Sequence, residues 1–205
     1  MFAQRMATAV ALSVALMGCQ TEPSGSGNTP VTNAAGPAVA VIGFRCPANG
    51  TIVHLNTGGR FHHRGSDSID PSTCTLTSAN GTQVRRFFDL VSLPNENEAT
   101  YRRSMSALWP LEVGKTANFI VSGRNHQTRE SWRVLRREAL GLRSGSRDTF
   151  VLEQTFQGMF GDTSVVTFTI WVDVQTGAQL KRDMRIVQGS GPGFAPYEAV
   201  RIEIP

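Results

Sequence analysis

A mainly β fold is what the 205-residue sequence predicts: one curved antiparallel sheet, an open half-barrel or a sandwich, with at most one or two short helices. Three observations predict it. From residue 116 onward, apolar and polar residues alternate with a period of two in segment after segment, the spacing that lays one face of a strand on a core. Those segments are rich in Val, Ile, Phe, Trp and Thr and are split by Gly, Asn, Asp and Gln turns, as in an antiparallel meander. Only residues 95–108 carry the looser spacing of a helix.

The elements follow in order. Residues 1–18 read as a signal peptide: Arg5 and the amino terminus supply positive charge, Ala7 to Met17 is apolar, and small residues precede Cys19. The apolar stretch is well short of the roughly 20 residues a membrane-spanning helix needs. Leu16-Met17-Gly18-Cys19 resembles the lipobox of bacterial lipoproteins, in which the cysteine thiol is diacylated, the signal is removed and the new amino terminus is acylated in turn. That resemblance implies lipid attachment at Cys19 and a membrane anchor; an ordinary signal peptide cut elsewhere is the other reading. Gln20, and not Asp, follows Cys19. Comparison with lipoproteins that obey the enterobacterial sorting rule therefore implies the outer membrane, with the protein facing the periplasm. Inner-membrane anchoring and the cell surface are the alternatives.

Residues 19–38 are mostly Ser, Gly, Thr, Asn, Pro and Ala, which cannot bury enough apolar surface to offset their ordering entropy, and are expected to form a flexible tether. Residues 39–205 are expected to form a single β-rich domain. At roughly 165 residues it can bury about 70% of its unfolded surface without help from a metal or cofactor. Within it, Val39 to Phe44 and Gly50 to Leu55 read as strands joined by a Pro47-Ala-Asn-Gly turn. Arg60 to Gly81 reads as loops pinned by a disulfide. Val84 to Leu93 is a strand or one helical turn, ended by Pro94. A short helix is expected over 95–108. The antiparallel sheet is expected over 109–205, with strands at 117–122, 149–156, 164–174, 179–187 and 199–204. In the third of these, Val166, Phe168, Ile170, Val172 and Val174 form one continuous apolar face, taken as the core face, with Trp171 opposite. Gly177 supplies positive φ for the hairpin that follows. Residues 131–142 suit either a helix or a strand that changes face, and strand neighbours on both sides favour the strand.

The C-terminal half resembles an uncharacterised family of proteobacterial envelope lipoproteins. The elements that carry the resemblance are Trp109-Pro-Leu-x-x-Gly-Lys115, a Trp132-x-Val strand leading through Ser144-Gly145 to Phe150-x-Leu-Glu153, and Trp171-Val-Asp-x-x-Thr-Gly177 before a basic strand. It implies an open, strongly curved antiparallel sheet and carries over no catalytic residue.

The net charge is +4, and of the 20 basic residues all but Lys115 and Lys181 are Arg. Doublets at Arg85-Arg86, Arg102-Arg103 and Arg136-Arg137 suit bidentate contact with carboxylate or phosphate. Arg85, Arg86, Tyr101, Arg102 and Arg103 are thus the candidate contact residues for a partner protein or an anionic envelope polymer. Replacing Arg102 and Arg103 with Ala is expected to leave the fold intact, since exposed charges contribute little to it, yet to weaken attachment to such a partner; a plain solvated surface is the rival reading. For an exported chain nucleic acid is not an expected partner.

With Cys19 assigned to lipid, Cys46 and Cys74 remain as a pair in an oxidising compartment and are expected to bond to each other. The rival is a zinc site with His54, His62 and His63, without close Cys-x-x-Cys spacing. Asp67 and Asp70 would join such a site only if the loop folded back.

No Gly-x-Ser-x-Gly, His-Glu-x-x-His or phosphate-cradling glycine loop is present, and Ser190 lacks the strand-to-helix setting of a nucleophile elbow. Asp173 and Asp183 flank one hairpin but sit among cations, as exposed ion pairs do. No catalytic residue, metal or cofactor is therefore assigned. The sequence points to a non-enzymatic envelope lipoprotein that serves as a binding or structural module. The alternative is a carrier or sensor holding an apolar ligand in the concave face of the sheet.

Overall fold

The computed structural model describes residues 43–78, 80–123, 126–159 and 163–205. The expectations for residues 1–38, lipid attachment at Cys19 among them, lie outside the described residues, as does the start of the Val39–Phe44 run. Among the described residues eleven strands follow one another: β1 Ile52–Leu55, β2 Arg60–Ser66, β3 Thr73–Thr77, β4 Gln83–Phe87, β5 Val91–Leu93, β6 Thr116–Ser122, β7 Gln127–Leu142, β8 Gly145–Met159, β9 Val165–Asp173, β10 Gln179–Gln188 and β11 Tyr197–Glu203. One short helix, α1 Glu98–Met105, runs into a 3-10 turn at Ser106–Leu108, between β5 and β6. The strands form one open antiparallel sheet in the order β5-β4-β3-β2-β1-β11-β10-β9-β8-β7-β6. Two meanders are thus joined by the last strand, which pairs with β1 over Ile52↔Glu203 to Leu55↔Ala199 and with β10 at Lys181↔Glu198 and Arg182↔Tyr197.

Residues 60–81, read from sequence as loops, hold two strands. β2 and β3 are polar along much of their length, with His62, His63, Arg64 and Ser66 in one and Thr73, Thr75 and Thr77 in the other. Their inward residues, Phe61, His63, Cys74 and Leu76, are nevertheless buried. Val84–Leu93 is neither one strand nor a helical turn. It is two strands hinged at Phe88 and Asp89, both at positive φ (52° and 55°).

β7 settles as a strand, and it does change face. The register slips between Val134 and Arg136, so Leu135 is an extra residue opposite β8. A bulge of this kind inverts the parity of everything after it. Trp132 and Val134 therefore point into one core, whereas Leu140 points into another. The tip of the β7–β8 hairpin reaches β11, where the Arg143 backbone N–H donates to the Val200 carbonyl at 2.9 Å.

The two cores lie against opposite parts of the sheet. The first joins Phe87, Phe88, Tyr101, Met105 and Leu108 to Phe119, Trp132, Val134, Leu152 and the β9 residues Val166, Phe168, Ile170 and Val172. The second joins Val53, Leu55, Phe61 and Leu76 to Leu140, Val151, Trp171 and Leu180. Trp171 is thus buried in a second core instead of facing solvent, and its indole N–H donates to Glu138 at 2.6 Å. Cys46 and Cys74 form a disulfide, with Cα atoms 5.4 Å apart, that ties the segment before β1 to β3.

Candidate ligand-binding site

Paired residues of neighbouring strands share a face, so the registers lay out the inner surface of the sheet as rows. One row runs Phe119–Glu130–Phe156–Val166–Ile186 across β6 to β10; the next runs Ala117–Trp132–Gln154–Phe168–Met184. A third runs Val134–Leu152–Ile170–Arg182–Tyr197 across β7 to β11. Each row is apolar except at one or two positions, and Glu130, Gln154 and Arg182 fall on a diagonal.

The three are bonded in sequence. Glu130 is fully buried; one carboxylate oxygen accepts from the Tyr101 hydroxyl, the other from Trp132 Nε1 at 3.1 Å and Gln154 Nε2 at 3.2 Å. Burial raises its pKa, and the three donors offset only part of that rise. Gln154 Oε1 in turn accepts from Arg182 Nη2 at 3.3 Å. The Arg182 guanidinium lies against two rings, 4.2 Å from the centroid of Phe168 and 5.1 Å from that of Phe194. Desolvation lowers its pKa, and its Nε is buried with no hydrogen-bond partner among the described residues.

Beside this diagonal lies a cavity of about 430 Å3, lined on the sheet side by Thr128, Phe156, Val166, Phe168 and Arg182 and at its rim by Ser190 and Pro192. The rim loop can lie this close because residue 191 is Gly: a Cβ there would stand 2.8 Å from Ile186 Cγ1. The loop enters through Gly189, at φ +70°. Phe194 then packs edge-on against Phe168 at 5.2 Å. A second cavity, of about 410 Å3, lies between Phe44, Phe88, Trp109 and Phe150. Its one carboxylate, Asp173, is already spent on two bonds from Arg147, at 2.9 and 2.7 Å, and two from Thr176. Asp173 is therefore buried and structural, and not the exposed, solvated ion-pair residue expected from sequence.

The five residues proposed for partner contact do not make one surface. Tyr101 is buried under α1 and bonded to Glu130. Arg102 donates to Asp70 at 2.7 Å, Ser72 at 3.2 Å and Glu98 at 2.7 Å, and covers the Phe87 ring at 4.2 Å. Arg86 is largely buried over Phe61, whereas Arg85 is exposed and pairs with Asp67 at 3.0 Å. Arg103 is exposed. Sequence reasoning counted Arg102 as a surface charge because nothing local marks Asp70 as its partner, 32 residues away.

The histidines are likewise dispersed. His54 Nε2 lies 3.0 Å from Glu203 Oε1. His63 is buried with neither ring nitrogen bonded among the described residues, and burial lowers its pKa, which keeps it neutral. Asp70 is held by Ser72, Thr73 and Arg102. Among the described residues no three His, Cys, Asp or Glu side chains converge as a metal site, and both sulfurs of the proposed zinc set are in the disulfide.

No family model and no curated protein matches the chain. Among solved structures it is similar to the hypothetical lipoprotein YmcC from Escherichia coli K12. The identity is 15% and the TM-score 0.42, over 82% of this chain and 90% of that one.

Proposed function

We propose that this chain is a cell-envelope lipoprotein, anchored through Cys19, whose domain holds an apolar ligand against the inner face of its sheet and catalyses no reaction. The cavity over Phe156, Val166 and Phe168 carries the ligand reading. Its volume of about 430 Å3 falls within the roughly 300–1,000 Å3 range of small-ligand sites. An apolar floor with few polar groups favours holding a molecule over converting it, and neither Gln154 nor Arg182 offers a nucleophile or a paired acid and base. The Leu16 to Cys19 run supports the anchor, and Gln20 favours the outer membrane with the domain in the periplasm. Docking to a partner protein or anionic polymer rests mainly on Arg103 and Arg85, since Tyr101 and Arg102 are committed internally.

Native mass spectrometry of the full chain, followed by organic extraction, tests the ligand reading. A co-purified apolar molecule is expected, and Thr128→Trp in the cavity wall should lose it while circular dichroism stays unchanged. A protein that carries no such molecule and takes up no added fluorescent alkyl probe overturns the reading.

A further inference from the structure

We propose that Arg182 is the anion-recognising end of this cavity, so that the ligand is an alkyl chain bearing a terminal oxyanion, carboxylate or phosphate. The inference rests on the cavity being a ligand site and adds the chemistry of what it takes. Other arginines drawn into the fold have found carboxylates: Arg147 grips Asp173 with two bonds, and Arg102 holds Asp70 and Glu98. Arg182 has not, for it reaches no carboxylate within 4.0 Å among the described residues. The nearest acid in its chain of bonds, Glu130, stands behind Gln154, and both its oxygens are already taken by Tyr101, Trp132 and Gln154.

A cation removed from water is costly unless it meets acceptors. The Phe168 and Phe194 rings attract the guanidinium, but they accept no in-plane hydrogen bonds. Among the described residues the one in-plane partner is the Gln154 side-chain carbonyl, at a long 3.3 Å, and Nε has none. A guanidinium so placed has donors left for an oxyanion. The same side chain lines a cavity whose floor is Phe156, Val166 and Phe168. Cation and apolar floor together match the two parts of an anionic amphiphile, and neither a neutral hydrocarbon nor a free anion uses both.

The test is photo-crosslinking of the full chain in phosphatidylcholine nanodiscs with three diazirine-bearing C12 probes, a carboxylate, a phosphate and an alcohol, at matched membrane concentration. The anionic probes are expected to label the β8 and β9 segments that line the cavity at least about tenfold more than the alcohol, as charge-assisted hydrogen bonds allow. Whichever anionic probe labels more identifies the head group. Arg182→Gln should bring both down to the alcohol's level and leave alcohol labelling unchanged. If that variant does not fold, the acid-to-alcohol ratio on the unaltered protein decides alone. Equal labelling by alcohol and acids overturns the role of Arg182 while the apolar site stands. No labelling by any probe overturns the site and, with it, this inference. Suppression of the anionic labelling by inorganic phosphate alone marks a free-anion site and overturns the amphiphile.

Discussion

The hydroxyl of Tyr101, on α1, donates to the buried carboxylate of Glu130, on β7. The bond pins the helix to the sheet from beneath. Asn97, just before α1, pins it from the end by exchanging two 3.0 Å hydrogen bonds with the backbone of Ser122 on β6.

Glu130 should make stability depend on pH in an unusual sense. Its folded pKa lies above the ordinary carboxylate value because burial disfavours the charge. The native state then keeps the proton longer than the unfolded chain, and stability is lost as pH rises from about 4.3 through the folded value. Glu130→Gln keeps the shape without the charge. It should be more stable than the unaltered protein at pH 8 and no more stable at pH 4, measured by urea unfolding. Glu130→Ala strands the Tyr101 hydroxyl, Trp132 Nε1 and the Gln154 amide and should cost about 3 kcal/mol.

Arg102 and Arg103 should separate sharply. Arg102→Ala removes the partner of Asp70, and with Arg102 a third exposed the cost should be about 1–2 kcal/mol. Arg103→Ala should change stability by less than about 0.5 kcal/mol. This corrects the expectation that both are surface charges. Burial opposes the charge on Asp70, but bonds from Ser72, Thr73 and Arg102 outweigh it and hold its pKa below the usual value. Its contribution is therefore full above the unfolded pKa of about 3.9 and fades as pH falls through the folded value. The Arg102→Ala deficit should shrink in acid, as denaturation at pH 2.5 and pH 7 would reveal.

Replacing Cys46 and Cys74 with Ser should cost about 3.5 kcal/mol in the chain-entropy account of a 28-residue separation. Calorimetry of the double variant beside the oxidised protein measures it. A peptide map without reduction should return both cysteines in one linked fragment.

Lipid attachment should appear as a mass addition on the amino-terminal peptide of the protein recovered from membranes, with Cys19 as its first residue. An unmodified amino terminus at another position rejects the anchor.

The strands of the C-terminal half were legible because Val, Ile, Phe and Thr alternate there with few interruptions, and the disulfide followed from the cysteines left over. β2 and β3 were not. A strand that reads Arg-Phe-His-His-Arg-Gly-Ser carries one apolar side chain, and the burial of His63 comes from neighbours across the sheet. Trp171 was placed on the wrong side of the boundary with solvent because alternation assumes one wet face, while the β7 bulge folds Leu140 over the back of β9. The site residues did leave a signal. Glu130 stands in step with Trp132, Gln154 with Leu152 and Phe156, and Arg182 with Met184. A polar residue at the parity of an apolar face is either a satisfied bond or a site, and here the run contains both.

Among the described residues, β11 is the strand that bridges two meanders otherwise made of neighbours in sequence. Until β11 is in place, the edges of β1 and β10 that it covers are unpaired. Closure joins Ile52 to Glu203, a contact spanning most of the domain, and contacts of such range are slow to form. That interval leaves two edges open to wrong pairing, so loss of β11 should be poorly tolerated by the rest of the sheet.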